Sequence, residues 1–393
     1  MARQLPYNPT MMRWAREWRG RNLEDSAKKA GISVEKLAEW EAGSSVPTIR
    51  QARQLAAFYD RRFMEFFYDS PPEIKSPDVV PDFRLYVGAD EVANYREIQE
   101  IHRWAEAQRL NALGLLSEIG EAPPAVSPIL KATTADDVEA ISFKIRQEMG
   151  LSVEDQRRLP LDKIVEFPRF LRRRMDGLGI LVLRRTDLGE YGVRGICVVK
   201  QPLPIIVFGN ESPHAQAFTL IHELAHVILK QSAISDHDEE WHPQTAGRLT
   251  ERWCNRFASA FLIPKAALVE VFGAIPQTPT PLISDNRLTT LARAFNVSEH
   301  AMLVRLVQLG YVGEQYYFGH KLPRFRKAEA EFESKGRSTY WASRKVSALG
   351  EFYTGLVLEA WGTDRIQYHE AAGYMGLKNP SHLEKIREEF TSS

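Results

Sequence analysis

The residues best suited to chemistry are His222-Glu223-Leu224-Ala225-His226, set inside the apolar stretch AFTLIHELAHVILK. In a helix, positions four apart lie one above the other, so His222 and His226 can offer two imidazoles to one metal from a single face. Glu223 is then close enough to take a proton from a metal-bound water. Two imidazoles leave zinc short of a third protein ligand and an open position for that water. The next strongly amphipathic stretch, TERWCNRFASAFLIP, supplies a carboxylate: Glu251 and Asn255 are four apart, while Cys254, Phe257, Ala258 and Phe261 form the stripe that would pack it on the first helix. Glu251 is expected to be the third ligand. Asn255 is expected to hydrogen-bond the non-coordinating nitrogen of a ligand His. The alternative is an apolar helix with two partly buried His and a Glu in a surface ion pair.

The elements that must position these groups follow from pattern and punctuation. Three β-branched runs precede the motif, GILVLRR, VRGICVV and LPIIVFG, and read as strands of a small sheet. Helical patterns run over Ala135–Gly150, Leu161–Asp176, His214–Lys230, Thr250–Leu262, Leu288–Phe295 and Glu299–Leu309. Between the His pair and Glu251 lies a polar loop, Ser232–Arg248, a candidate gate over the site. It contains His237 and His242, which could stabilise an oxyanion or touch substrate, or be solvated loop residues. Upstream, residues up to about Ser70 read as short helices, Asn8–Arg19, Leu23–Ala30, one capped by Ser33 through Trp40, and one capped by Thr48. Prolines make residues 70–83 a linker, and a long helix covers Ala89–Ile119. Beyond Gly313, HKLPRFRK reads as a solvated charge run, and one helical pattern covers Ala342–Trp361.

Length and composition bound the whole. The 393 residues favour two or three cored units; apolar residues at 44% and charged residues at 26% fit a globular chain and exclude a disordered one. Lys plus Arg and Asp plus Glu both number 51, so any binding to nucleic acid must be local. No apolar run is long enough to span a membrane, and the start lacks the apolar core of a signal peptide, so a cytoplasmic protein is expected. Two cysteines, Cys197 and Cys254, are too few for a disulfide framework and read as buried thiols.

FTLIHELAHVIL, ERWCNRFASAFLIP and LARAFNVSEHAMLVRLVQLGYV together resemble the ImmA/IrrE family of zinc metallopeptidases. The resemblance implies a gluzincin-like site with the two-His, one-Glu zinc set of thermolysin-like enzymes: His222, His226 and Glu251 as ligands, Glu223 as general base, Zn2+ as cofactor. It also implies protein substrates, in several members DNA-binding repressors whose cleavage releases stress-response or mobile-element genes. A repressor encoded nearby is therefore a candidate substrate. One departure is SPHAQAF before the motif, where the family often carries Arg. The N-terminal LEDSAKKAGISVEKLAEWEAGSSVPTIRQARQLAAFY resembles the helix-turn-helix of XRE/Cro-type regulators. Its presumed recognition helix, SVEKLAEWE, is acidic and lacks the Arg, Gln or Asn that meet base edges; Lys28, Lys29, Arg50 and Arg53 could contact DNA phosphates. Sequence-specific DNA binding and docking of a protein partner both stay open.

The expected fold is α+β and mostly helical: a helix-turn-helix bundle over 1–70, a linker and connector helix over 71–129, a zinc peptidase domain with a small β-sheet over 130–315, and a helical C-terminal extension over 316–393. The expected function is zinc-dependent cleavage of a specific intracellular protein. The alternative is a transcriptional regulator or antitoxin-like binding protein whose zinc site is structural or vestigial. Substrate identity, activating signal and oligomeric state stay open.

Overall fold

The computed structural model describes residues 7–18, 21–59, 61–71, 91–159, 165–191, 193–230, 233–236, 246–330 and 340–392. Among them, 7–71 with 91–100 fall in one compact unit and 101–392 in another. The fold is α+β and mostly helical.

The first unit is built on α1 (Pro9–Trp18), α2 (Leu23–Ala30), α3 (Val34–Glu41) and α4 (Ile49–Phe58). Each boundary has a local cause. Asn22, Ser33 and Thr48 accept backbone N–H bonds at the starts of α2, α3 and α4, and Gly31 closes α2 in the left-handed region at φ 68°. Leu37, Trp40, Ala52, Leu55, Ala56, Tyr59 and Phe66 make its core. Glu41 is not on the surface of α3, as its place in the acidic run suggests. It is buried, and its carboxylate accepts from Arg16 Nε at 2.7 Å and Nη2 at 2.8 Å.

In the second unit, α5 (Glu91–Ile119) contributes its part from Ile101 onward, followed by α6 (Val138–Glu148), α7 (Val153–Arg158) and α8 (Glu166–Gly177). Then come β1 (Leu181–Arg184), β2 (Val193–Val198), β3 (Ile205–Phe208), α9 (Pro213–Ile228), β4 (Ala233–Asp236) and α10 (Ala246–Leu262). The sheet order is β1-β3-β2-β4, with β1 parallel to β3 and the other pairs antiparallel. Cα partners share a face, so Val182, Ile206, Cys197 and Phe208 point together into the core with Leu220, Ile221 and Leu224 of α9. Both cysteines are buried thiols.

Two expectations change here. The sheet has a fourth strand, since β4 pairs with β2 inside what reads as a polar loop. Its short, polar sequence carries no strand pattern, and only the open edge of β2 makes it one. Of the expected loop, residues 232 and 237–245 lie outside the described residues, Ala233–Asp236 is strand, and α10 already begins at Ala246.

The unit continues through α11 (Lys265–Phe272), α12 (Asp285–Ala294), α13 (Glu299–Gln308), α14 (Glu314–Tyr316) and α15 (Leu322–Ala330). Within the expected solvated run, Lys321 is buried, and its ammonium pairs with Asp285. The C-terminal helices are α16 (Trp341–Leu349), α17 (Glu351–Gly362), α18 (Tyr368–Tyr374) and α19 (Leu383–Ser392). The single helix expected over Ala342–Trp361 is broken at Gly350, whose φ of 82° is left-handed, and a Cβ there would lie 2.5 Å from the Arg172 guanidinium. That guanidinium is itself a clamp, since Arg172 donates to the carbonyls of Val182 on β1 and of Ser347 and Ala348 at the end of α16.

Candidate metal centre

Helix α9 begins where Ser212 accepts the N–H of Ala215 and Pro213 occupies the first turn. From Thr219 to Ile228 every residue is buried, because this helix packs on β2 and β3 and also against α8 and α10. A helix apolar on all sides belongs inside a molecule, and polar groups in it need partners. Thr219 donates to Glu211 at 2.7 Å, and the other such groups are His222, Glu223 and His226.

Helix α10 carries the partner. Its last carbonyls, those of Phe261 and Leu262, and that of Ile263 just beyond accept from Arg146 Nη1 at 2.7 Å, Gln156 Nε2 at 2.8 Å and Arg305 Nε at 2.9 Å, respectively. Cations and an amide thus satisfy the helix end that would otherwise be left unpaired in the core. Toward the other end, Trp253 Nε1 donates to the Asp136 carbonyl at 3.0 Å. So fixed, α10 presents Glu251 to α9.

The three side chains converge. His222 Nε2 lies 3.1 Å from Glu251 Oε2, His226 Nε2 lies 3.2 Å from Glu251 Oε1, and the two Nε2 atoms are 3.2 Å apart. Ligands at about 2.0–2.2 Å from a tetrahedral zinc are separated by about 3.3–3.6 Å, and the imidazole pair and each imidazole–carboxylate contact, the latter through different Glu251 oxygens, come close to that spacing. Among the described residues, His222, His226 and Glu251 form a group able to hold a metal, and all three are buried. The donor set of two imidazoles and a carboxylate fits zinc.

The electrostatics agree with a cation site. Burial opposes a charge on His222, but the hydrogen bond and charge of Glu251, with help from Glu223 and Asn255, outweigh it and bring the imidazole to about 8. Burial likewise opposes ionisation of Glu251. The charge of His226 and the hydrogen bonds from both imidazoles outweigh that, holding its carboxyl well below the usual range. Burial, reinforced by Glu251 and Glu223, pushes the Cys254 thiol up, so it is inert as a nucleophile.

The sequence places the remaining residues unevenly. Asn255 hydrogen-bonds the His222 ring from the next turn of α10. The His226 Nδ1 is buried and has no hydrogen-bond partner among the described residues. Glu223, in the helical turn between the two His, is wholly buried. His237 and His242 lie outside the described residues. His214, in the stretch that departs from the family, sits in the first turn of α9, and burial holds its imidazole below the ordinary value. In the first unit, Lys28, Lys29, Arg50 and Arg53 are all exposed, with Lys29 and Arg53 over the rings of Phe58 and Phe63 at 5.8 and 5.2 Å. On α3, Lys36 is tied to Glu39 at 2.7 Å.

One neighbour of the site goes unmarked in the motif reading. A Cβ on Gly195 of β2 would fall 2.5 Å from Glu223 Oε1. The available signal was a lone glycine inside a β-branched run, a sign of close approach by another group.

Residues 175–307, from the end of α8 to α13, match the IrrE N-terminal-like domain of the M78 peptidases. Residues 12–66 match the helix-turn-helix family, so the chain joins a helix-turn-helix module to an IrrE N-terminal-like peptidase domain. No curated protein matches the chain.

Proposed function

We propose that the protein is a zinc-dependent endopeptidase that cleaves a specific intracellular protein, a DNA-binding repressor being the leading candidate. The observation that carries this reading is the convergence of His222, His226 and Glu251 to within 3.1–3.2 Å, with Glu223 in the turn between the two His. His222, His226 and Glu251 would hold the ion, which when bound acidifies water and polarises a scissile carbonyl. Glu223 accepts the proton of the attacking water and returns it to the leaving amine nitrogen. Asn255 fixes the tautomer and orientation of the His222 ring. Burial of His222, Glu223, His226 and Glu251 places them in a medium of low dielectric, which strengthens their mutual interactions. Two buried thiols are in keeping with a cytoplasmic location.

The regulator reading gains from the exposed cations on α2 and α4, which could track a DNA backbone. A vestigial site is less favoured, since a structural metal has no use for Glu223. The test is to incubate the protein, and separately Glu223→Gln, with purified DNA-binding proteins encoded beside it. Wild type should release defined fragments, and Glu223→Gln should lower the rate by about 10²–10⁴-fold while keeping fold and metal. Equal cleavage by both would show that another group is the base.

A further inference from the structure

Gly195 lies in the middle of β2, on the face that looks toward α9. Its Cα partners on β3 and β4 are Phe208 and Ser235, and the β2–β4 register shifts between Val193 and Gly195. A methyl group there would stand 2.5 Å from Oε1, 2.8 Å from Cγ and 2.9 Å from Cδ of Glu223, well inside van der Waals contact. Among the described glycines, it alone combines such a clash with a φ outside the left-handed region. The backbone conformation does not call for glycine at this position; the space does. Glycine weakens a strand interior, so its presence here has a cost that the neighbouring carboxylate explains.

We propose that Gly195 is the positioning residue for the general base: the side-chain-free slot in β2 fixes the rotamer of Glu223 and so the direction in which its carboxylate meets the metal centre. This rests on the reading of Glu223 as the base. The sheet thereby takes part in the site although it contributes no ligand. The slot and the carboxylate are complementary in volume, and each should tolerate enlargement only when the other is reduced.

The test is a double-mutant cycle on the full-length chain, comprising wild type, Gly195→Ala, Glu223→Ala and the double variant. It is read by urea midpoint and, after exchange into cobalt(II), by visible absorption. Gly195→Ala should lower the midpoint by on the order of 0.5 M when Glu223 is present and leave it unchanged or raised when residue 223 is alanine. The cobalt spectrum of Gly195→Ala should depart from wild type, while Cys197→Ala, on the same face of β2, should keep the wild-type spectrum. Equal midpoint losses in both backgrounds, or a wild-type spectrum for Gly195→Ala, would overturn the proposal. Should Gly195→Ala fail to accumulate in soluble form, the double variant decides: soluble and cobalt-binding supports the slot, insoluble rejects it. Neither readout needs a substrate, so failure here is separable from failure of the cleavage experiment that tests the peptidase reading.

Discussion

At the scale of single residues, the site depends on how few polar groups α9 and α10 bring into an apolar interior, and on how each is answered. His222 pairs with Glu251 and hydrogen-bonds Asn255, and the proposed role of that amide contact is to orient the ring for metal. Removing an outer partner of a metal-ligating His usually weakens metal binding by about 10–100-fold. Asn255→Ala should therefore raise the zinc dissociation constant by about that factor, measured by competition with a chromophoric chelator, with little change in the helical circular dichroism. Unchanged affinity would mean that Asn255 does not orient the ring. The convergence of His222, His226 and Glu251 was legible because metal chemistry restricts residue types and helical geometry restricts spacing. Gly195 was legible only as a lone glycine in a strand, since the group it makes room for is a Glu brought to it by the packing of α9 on the sheet.

At the scale of elements, the sheet that supports α9 is itself held at its outer edge. Arg172 and Asp176, one turn apart on α8, grip both backbone groups of Val182: the guanidinium donates to the carbonyl and the carboxyl accepts from the N–H. Burial pushes the Asp176 carboxyl up to about 7, with Arg172 and the Val182 N–H offsetting it in part. An unfolded Asp titrates near about 3.9, so the folded chain holds this proton more tightly between those two values. Stability from this group is intact below about pH 4 and declines as pH rises through about 7. Asp176→Asn mimics the protonated form and keeps an acceptor for Val182. Its urea midpoint should match that of wild type only below about pH 4 and exceed it increasingly from there toward about pH 7; a gap that does not widen with pH would rule out the elevated carboxyl. Helix existence along the chain was largely legible from period and caps, as at Ser33 and Thr48. Two elements were not: β4 exists because β2 offers it an edge, and the break at Gly350 exists because Arg172 occupies the space beside it.

At the scale of the whole molecule, a peptidase domain and a helix-turn-helix module share one chain with no net charge. Contact with DNA must then come from local cations. Burial of Glu41 removes one acid from the face of α3, but Glu35 and Glu39 stay exposed there, and Lys36 is spent on Glu39. Base readout by such a helix is poor, whereas Lys28, Lys29, Arg50 and Arg53 can still neutralise phosphates. Binding to duplex DNA should be weak, indifferent to sequence and steep in salt, with a log–log slope of about −3.6 for four phosphate contacts that is lost when all four cations are replaced by Ala. Fluorescence anisotropy across a salt series measures it. Nanomolar, sequence-selective binding at physiological salt would instead favour the regulator.

The central claim is that His222, His226 and Glu251 hold one zinc ion, and metal content tests it most directly. Native mass spectrometry of the purified chain should find one zinc per molecule in wild type and essentially none in the His222→Ala, His226→Ala double variant, because a lone carboxylate with water binds zinc weakly. Full zinc occupancy in the double variant would contradict the assignment.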